Sequence, residues 1–473
     1  MSESVRSPGG KRGDAVATNA SLRRRRILAA AIAAVGIAAA ACASGPSGPS
    51  GPPGPSGGHA GANPPVGTTG DCDSVTTCYT PHQIQIAYGI ESLLKRGIDG
   101  RDETVVLPEL AESAPQPPLV TDLRVDMAAF DRRFGLPAAR LRVVTKLAGA
   151  SSPWLAFGEE VLDAEMVHVV APAATIVILL VPSDSLASAA SGVAASVASL
   201  RLGVTEGAVI SISAAGQTGG EHCDTRAEVA SLNSALQDAV DHRVTVLAAS
   251  GDVGAAGEPC QLMKGLTGGQ FPPVREVNLP ASDPLVLSVG GTTLNASHQT
   301  GAYIGERGWG LPYGDANTQF QGSGGGFSRT FARPAYQDGV RGIGRFRGVP
   351  DVSSDAAGHT GMALVIGAPG GGFMIRNSGG TSATAPFWAG VIALADQYAR
   401  RPLGFVNPAI YRIAASPAYH QAFHDVVAGG NEPTFTGKRI GGYSAGRGWD
   451  PVTGWGSPVV SVLVPLLARY GTG

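Results

Sequence analysis

Apolar and polar residues follow two rhythms along most of this chain. Short, almost continuously apolar runs predict strands buried on both faces, as in a parallel sheet. The predicted strands are Thr104–Leu107, Ala174–Val181, Ala208–Ser213, Val244–Ala249 and Leu285–Val289. Between two of these runs, apolar residues recur at helical spacing, at Val229, Leu232, Leu236 and Val240. This strand–helix–strand order predicts an α/β fold with a mainly parallel central sheet and crossover helices.

The N-terminal region follows neither rhythm and is predicted to be an export signal over residues 1–42. Four arginines precede an apolar run, Ile27–Ala41, whose 15 residues fall short of the roughly 20 needed to span a bilayer. The run ends in Ala39-Ala40-Ala41-Cys42. This resembles a bacterial lipobox, which implies lipidation of Cys42, although Ala39 stands where leucine is usual. Simple cleavage, a retained anchor and a twin-arginine export route stay open.

Composition separates a tether from a folded domain. Residues 43–71 are rich in Gly, Pro and Ser, which predicts a disordered spacer. Beyond it the composition never shifts sharply, so residues 72–473 are predicted to form a single domain. A net charge of −2 with both signs spread along the chain gives no indication of nucleic-acid binding. We expect a monomer that meets a membrane only through its N-terminus.

Cysteine usage agrees with export. The chain has 5 cysteines, and four remain if Cys42 carries a lipid, which is an even number. Cys72 and Cys78 are close enough to close a small loop, and Cys223 and Cys260 would form the other pair. Free thiols in a reducing compartment are the alternative, which the export signal disfavours. The spacing does not indicate a zinc site.

A glycine-rich turn before an apolar helix carries the strongest chemical signal. The segment Ser378–Pro386 reads SGGTSATAP, and a stretch of small apolar residues follows it. Ser382 is thereby placed at a helix N-terminus, where the helix dipole favours a developing oxyanion. For a bare Gly-Thr-Ser, a residue that only caps the helix is the alternative. The longer pattern G-T-S-x-x-x-P resembles the nucleophile segment of subtilisin-like serine peptidases.

The base that would activate this serine is not a histidine of the usual kind. Ordinary subtilisins carry it in a His-Gly-Thr segment, and none of the 9 histidines here is followed by Gly-Thr. Glu159 and Asp163 instead lie four residues apart, so they share one face of a predicted helix. Met166 and Val170 continue this face, which predicts that it is buried. Two buried acidic groups need a shared proton or another partner.

Two further acidic residues of the same helix lie off this face. Glu160 and Glu165 are therefore predicted to be solvated. An acidic helix start that complements the dipole is the alternative interpretation of this segment. It would explain Glu159 and Glu160 but not Asp163.

The whole segment, G-E-x-x-x-D-x-E-x-x-H-x-x-A-P from Gly158 to Pro172, resembles the glutamate–aspartate helix of the sedolisin family, the serine-carboxyl peptidases. The resemblance implies a subtilisin-like fold with helices on both faces of the sheet. It implies Ser382 as nucleophile, Glu159 as general base and Asp163 as the carboxyl that supports the base. His168 falls at a family position that is not catalytic, and we interpret it as structural.

A third motif supplies the expected oxyanion-hole acid. Asp252 follows the predicted strand Val244–Ala249, at the sheet edge where sites form in open α/β folds. An ordinary turn residue is the alternative, whereas the resemblance makes Asp252 a protonated donor to the oxyanion. A glutamate base has an ordinary pKa of about 4.3, which favours acid operation. Other family-like segments begin at Leu279, Val289 and Gly324, and we expect scaffold roles for them.

A calcium site is expected near the C-terminus. Calcium prefers six to eight oxygens, often mixing carboxylates with backbone carbonyls. The segments around Asp425 and Asp450 offer both, and a glycine-rich turn with a cap is the alternative. The resemblance to the sedolisin calcium site implies one Ca²⁺ held by two side chains and three carbonyls, those of Asp425, Asp450, Val426, Gly446 and Gly448.

Several departures from the family pattern bear on function. We expect no large propeptide, because only the signal and spacer precede the catalytic part. Glu109 matches a glutamate that extends the family's carboxyl network, but alanines follow Ser213 where the family carries a tryptophan. The first hypothesis is an exported, acid-active serine-type endopeptidase, extracellular or at the cell surface, that acts on proteins or peptides. The alternative is a catalytically weak, membrane-tethered relative that binds peptides or a surface partner.

Overall fold

A computed structural model describes residues 78–111, 121–144, 155–156, 158–182, 207–213, 219–257, 274–310, 321–368, 371–435 and 438–471, all in one compact unit. The α-helices of this part, numbered α1 to α9, are Pro81–Ala87, Glu91–Leu94, Leu123–Phe134, Glu159–Val170, Arg226–Asp241, Thr381–Ala399, Asn407–Ala414, Tyr419–Ala422 and Val460–Tyr470. The predicted signal, the spacer, Cys42, Cys72 and Cys260 lie outside the described residues.

The strands form one large sheet and several two-stranded ribbons. Strands β1 to β9 are Thr104–Ala111, Thr121–Asp122, Arg140–Val144, Leu155–Ala156, Thr175–Pro182, Val209–Ile212, Thr245–Ala249, Leu287–Ala296 and Tyr303–Gly308. Strands β10 to β18 are Gly326–Ala332, Phe346–Val349, Val352–Asp355, Ala363–Gly367, Phe373–Asn377, Phe423–His424, Thr434–Phe435, Lys438–Arg439 and Ser457–Pro458. Short 3₁₀ turns cover Glu221–Cys223 and Ala335–Gln337.

The central sheet has 8 strands in the order β12-β8-β7-β6-β1-β5-β3, with β9 paired to β8. Every pairing along this order is parallel, and only β9 runs antiparallel to its neighbour. Parallel neighbours require crossover connections, and among the described residues α4 provides one between β3 and β5 and α5 provides one between β6 and β7. The prediction of a mainly parallel sheet is confirmed.

Both faces of the sheet are buried, as the continuously apolar runs predict. Successive residues of β1 point to opposite faces, so Val105 and Leu107 join a core with α4 and α6. Val106 joins a second core with Leu232 and Leu236 of α5. A strand covered on both sides has no solvent face, which explains its lack of polar alternation.

The predicted strands all form, and most of their ends differ from the prediction by at most two residues. The largest differences are at β1, which continues to Ala111, and at β8, which continues to Ala296. Glu109 was expected just after the first strand and instead lies within it, paired with Leu180 of β5. The prediction was short because a proline, Pro108, argues against a strand interior.

Helices α4 and α6 pack closely against each other at a glycine. A Cβ atom on Gly390 of α6 would lie 2.6 Å from the Cβ of Val170 in α4. Such a distance is shorter than van der Waals contact, so only glycine permits this crossing. The two helices that carry the predicted base and nucleophile are therefore in direct contact.

Candidate active site

Ser382 lies in the first turn of α6, directly after the glycine turn that the sequence predicts. Gly380 precedes the helix with φ +79°, and a Cβ there would lie 2.6 Å from Oδ2 of Asp252. Both the backbone conformation and the close approach require glycine. Strand β14 ends at Asn377 and the turn then presents Ser382 half-buried at the helix N-terminus. The dipole of a helix of this length favours negative charge at that position.

Glu159 is the first residue of α4 and lies within hydrogen-bonding reach of Ser382. Part of its side chain is accessible, yet the dense protein around it raises the pKa of Glu159 to about 7, chiefly by desolvation. The hydrogen bond from Ser382 opposes this rise, and the nearby carboxyls of Asp252 and Glu160 add to it. A carboxyl in this state can accept a proton near neutral or weakly acid pH.

Asp163 lies one helical turn after Glu159 and is almost completely buried. The hydroxyl of Ser213 donates a hydrogen bond of 2.7 Å to its Oδ2. Burial and then the charge of Glu159 raise the pKa of Asp163 well above its usual range, while the Ser213 hydrogen bond lowers it. The aspartate therefore holds its proton firmly unless Ser213 stabilises the ionised form.

Glu109 of β1 completes a chain of three carboxyls with Asp163 and Glu159. Glu109 is within hydrogen-bonding range of Asp163, and burial raises the pKa of Glu109 well above its usual range. Oε1 of Glu109 and Oδ1 of Asp163 are both buried, and neither accepts a hydrogen bond from a described donor. One proton held between the two carboxyls would satisfy both oxygens.

Asp252 stands on the other side of the nucleophile turn, just beyond β7. Its Oδ1 accepts hydrogen bonds from the backbone N–H of Thr381 at 2.7 Å and from the Thr381 hydroxyl at 2.8 Å. Desolvation raises the pKa of Asp252, and the two bonds from Thr381 oppose the rise. These contacts fix the carboxyl beside the turn that carries Ser382. The structure thus brings Glu109, Glu159, Asp163, Asp252 and Ser382 together.

Two acidic residues of α4 do not lie where the sequence predicts. Glu160 and Glu165 were expected to be solvated, and both are buried, at 5% and 0% exposure. The prediction was wrong because α4 is covered on every side. Glu165 accepts a hydrogen bond of 3.1 Å from the backbone N–H of Val365, so it anchors strand β13. Nε2 of His168 lies 3.0 Å from Asp131, away from the five carboxyl and hydroxyl groups.

Ser213 is the residue that sequence reasoning missed. It directly follows β6, and besides Asp163 its hydroxyl contacts the backbone carbonyl of Ser382 at 3.2 Å. The Ser382 hydroxyl in turn contacts the carbonyl of Ser213 at 3.3 Å. A polar residue at the carboxyl end of a parallel strand is a signal for a site, and Ser213 carried that signal.

The expected calcium ligands lie together near the C-terminus. Asp425 accepts a hydrogen bond from the N–H of Gly448, and Asp450 accepts one from Gly446, at 3.0 and 3.1 Å. No described residue donates a hydrogen bond to the carbonyls of Val426, Gly446 or Gly448. Burial raises the pKa of Asp450 to about 6. Asp450 also accepts hydrogen bonds from the N–H groups of Val452 and Thr453 and from the Thr453 hydroxyl. Carboxylates and carbonyls are the oxygen donors that calcium uses, so the residue types present fit a calcium ion.

The described residues contain no group of three or more His, Cys, Asp or Glu side chains arranged to hold a metal. The expected calcium site depends mainly on carbonyls, so it belongs to a different class. Among the described helices, none is both long and apolar enough to cross a membrane. Cys78 and Cys223 are each disulfide-bonded, and the pairing with Cys72 and Cys260 remains a prediction.

The chain is similar in sequence to known peptidases. The chain is 32% identical over 404 residues to kumamolisin of Bacillus sp. (strain MN-32), which covers 83% of this chain and 64% of the relative. It is 37% identical over 200 residues to sedolisin of Pseudomonas sp. (strain 101), covering 42% of this chain and 31% of the relative. The chain thus spans less than two thirds of the length of the curated relatives it matches. No family model matches it.

A solved structure matches most of the chain. The structure of Pseudomonas sedolisin, a serine-carboxyl proteinase in complex with two molecules of pseudo-iodotyrostatin, superimposes with a TM-score of 0.66 at 25% identity. The match covers 84% of this chain and 100% of the other. The predicted α/β, subtilisin-like fold class is therefore confirmed.

Proposed function

The chain belongs to the sedolisin family of serine-carboxyl peptidases, and we propose that it is an endopeptidase that hydrolyses peptide bonds of protein or peptide substrates. One observation carries the proposal. Ser382 lies within hydrogen-bonding reach of Glu159, and Asp252 is held against the turn that presents it. These three side chains come from separate elements of the fold, and their convergence supports a shared catalytic role.

Each side chain has a role in the proposed reaction. The Ser382 hydroxyl attacks the scissile carbonyl while Glu159 accepts its proton, and a protonated Asp252 donates a hydrogen bond to the oxyanion. Glu159 then returns the proton to the leaving amine, which leaves an acyl-enzyme on Ser382. Water, deprotonated by Glu159, hydrolyses this ester and restores the serine. Asp163 and Glu109 support Glu159 by holding a proton next to it.

The charge states set the pH range in which we expect activity. The reaction needs an ionised Glu159, whose pKa is raised to about 7, and a protonated Asp252, whose pKa is also raised. Activity therefore rises as Glu159 loses its proton and falls as Asp252 loses its own. The maximum lies between the two apparent pKa values. Because aspartate starts from a lower pKa than glutamate, we expect an optimum on the acid side of pH 7.

The test is cleavage of a denatured protein substrate by the full chain from about pH 3 to about pH 8. Ser382→Ala should remove the cleavage, and Glu159→Gln should lower kcat by about 10²-fold or more. A fastest rate near pH 8 would contradict the assigned base and oxyanion acid. Absence of cleavage at every pH by folded protein would favour the second function, a catalytically weak relative that binds peptides. The alanines at positions 214 and 215 favour that alternative.

We extend the proposal to one calcium ion. The side chains of Asp425 and Asp450 and the carbonyls of Val426, Gly446 and Gly448 would hold it. When bound, the ion supplies charge neutralisation and cross-linking of this loop region, with no part in bond cleavage. Chelation should lower the melting temperature, and Asp450→Asn should abolish that response. If chelator leaves the melting temperature of the wild type unchanged, the site is not a calcium site.

The compartment is proposed from the sequence alone. Residues 1–42 carry the signal pattern and Cys42 its lipidation candidate. We expect the protein outside the cytoplasm, tethered to a membrane by lipid on Cys42. Cell fractionation should find it with membranes, and Cys42→Ala should release it. Membrane association that survives this substitution would argue for a retained signal anchor.

A further inference from the structure

Ser213 links the carboxyl chain to the helix of the nucleophile. It is buried at 5% exposure, directly after β6. Its hydroxyl lies 2.7 Å from Oδ2 of Asp163 and 3.2 Å from the backbone carbonyl of Ser382. A hydroxyl carries a single proton, so it can serve one of these acceptors fully at any moment.

The Ser382 carbonyl is available to Ser213 because of a proline. In a regular helix this carbonyl would accept a hydrogen bond from the N–H of residue 386. That residue is Pro386, inside α6, and proline has no N–H to donate. The hydroxyl of Ser213 occupies the acceptor that the proline leaves open.

The contacts of Ser213 differ with the charge state of Asp163. When Asp163 is ionised, the hydroxyl donates to its Oδ2. When Oδ2 carries a proton, the carboxyl donates to Ser213, whose own proton then turns to the Ser382 carbonyl. We propose that Ser213 is a positioning residue that couples the protonation of Asp163 to the first turn of the nucleophile helix. The inference rests on the proposed peptidase function and deepens it.

The groups that face Asp163 limit which other contacts could produce this coupling. Glu109 faces it from β1, and Glu159 and Glu160 act on it from α4 itself. Each of these three groups is an acid that raises the pKa of Asp163 or shares its proton. Ser213 is the one neutral donor among the described partners of the Asp163 side chain.

A second contact ties Ser213 to the reacting atom. The Ser382 hydroxyl lies 3.3 Å from the carbonyl of Ser213. A backbone shift at Ser213 therefore moves both the hydroxyl that contacts the Ser382 carbonyl and the carbonyl that contacts the Ser382 hydroxyl. Loss of the Ser213 hydroxyl should accordingly affect kcat more than KM.

The kinetic test uses Ser213→Ala in the wild type and in an Asp163→Asn background. A hydrogen bond to a charged group is worth about one to two powers of ten, so we expect kcat to fall about tenfold to a hundredfold. In the Asp163→Asn background the same change should lower kcat by less than about twofold. Additive losses in the two backgrounds would overturn the proposal.

Two further variants test whether the hydroxyl of Ser213, and not its packing, carries the effect. Ser213→Thr keeps a hydroxyl and should recover most of the lost kcat. Ser211→Ala, which removes a buried hydroxyl from β6 two residues before Ser213, is the matched control and should leave kcat near the wild type. A loss with Ser211→Ala equal to that with Ser213→Ala would reduce Ser213 to a packing role.

The titration does not depend on turnover. Carbon-13 NMR of labelled aspartate carboxyls, with Asp163→Asn as assignment, should show the pKa of Asp163 rising by about one in Ser213→Ala. Ser211→Ala should leave it unchanged. If the wild type cleaves nothing, the peptidase proposal fails and this titration alone decides the coupling. An Asp163 titration that Ser213→Ala does not alter overturns the inference.

Discussion

Two aspartates of this molecule are equally buried and have opposite surroundings. Asp351 is 0% exposed and Asp163 is 1% exposed. Asp351 faces the guanidinium of Arg347, whose two terminal nitrogens each lie 2.6 Å from one of its oxygens. The hydroxyl of Tyr411 and the backbone N–H of Ser288 add bonds of 2.7 and 2.8 Å. Both oxygens of this carboxylate accept hydrogen bonds from fixed donors, so the group has a structural role.

Asp163 has no such cation among its described partners. Its neighbours are Glu109, Glu159, Glu160 and the single hydroxyl of Ser213, and its Oδ1 lacks a described donor. A buried carboxyl in that company must share protons with other acids. The comparison teaches that burial alone does not distinguish a structural aspartate from a chemical one. The identity of the partners distinguishes the two, because a neighbouring cation stabilises the ionised carboxylate whereas neighbouring acids can share a proton with it.

The largest expected effect comes from breaking the pinned pair. Arg347→Met removes the cation and leaves Asp351 charged in the core, which should lower the free energy of unfolding by about 3–5 kcal/mol. Urea denaturation measures this value. Arg345→Met, at an exposed arginine of the same strand region, is the control and should change it by less than about 0.5 kcal/mol. Equal effects of the two substitutions would show that the buried pair has no special weight.

The second expected effect comes from replacing the carboxyl of Asp163 by an amide. Asp163→Asn should lower kcat by about 10²-fold, since it takes away the proton shared next to Glu159. Near pH 7 it should leave the free energy of unfolding unchanged or increased, because burial raises the pKa of Asp163 and such a group lowers stability at a pH where the unfolded chain ionises it. Asp351→Asn should show the reverse, with a clear loss of stability. Peptidase assays and urea denaturation on both variants sharpen or break the comparison.

The smallest expected effect is on the pH dependence of stability. Folding raises the pKa of Glu109, Glu159, Asp163, Glu165 and Asp252. A group with a raised pKa stabilises the fold fully below its unfolded pKa, near 4. That contribution is lost as the pH rises through the folded value, about 7 for Glu159. Stability should therefore fall by about 1 kcal/mol or more between about pH 5 and about pH 8.

Thermal melting at constant calcium concentration checks this trend. Glu109→Gln removes one of the proton-binding groups and should flatten the decline. A melting temperature that rises over the same range would mean that the carboxyl cluster is ionised in the folded protein without penalty.

Much of the fold follows from local sequence patterns. Every strand predicted from an apolar run is present in the sheet. The residues from Val229 to Val240, whose spacing predicted a helix, lie inside α5. Patterns of this kind report burial directly. Pro108 misled the prediction at β1, because it lies inside the strand, opposite Leu179 of β5.

The site was predictable as far as motifs carried it, and no further. Glu159, Asp163, Asp252 and Ser382 were predicted as one site, and the structure brings them together. Glu160 and Glu165 were misplaced, since helical periodicity assumes a solvent face and α4 has none. The contacts of Ser213 depend on residues that lie 50 and 169 positions away in sequence. Such distances carry no periodic signal.

The close contact of α4 and α6 at Gly390 lies outside the candidate active site. Glu159 and Ser382 lie on these two helices, and the packing of Gly390 on Val170 limits the distance between the helix axes. A methyl group added at Gly390 would push α4 and α6 apart without contacting a titratable group. In the proposed peptidase, a substitution at this contact would therefore change the distance between base and nucleophile. The rate of the proposed reaction would then depend on packing far along both helices from the reacting groups.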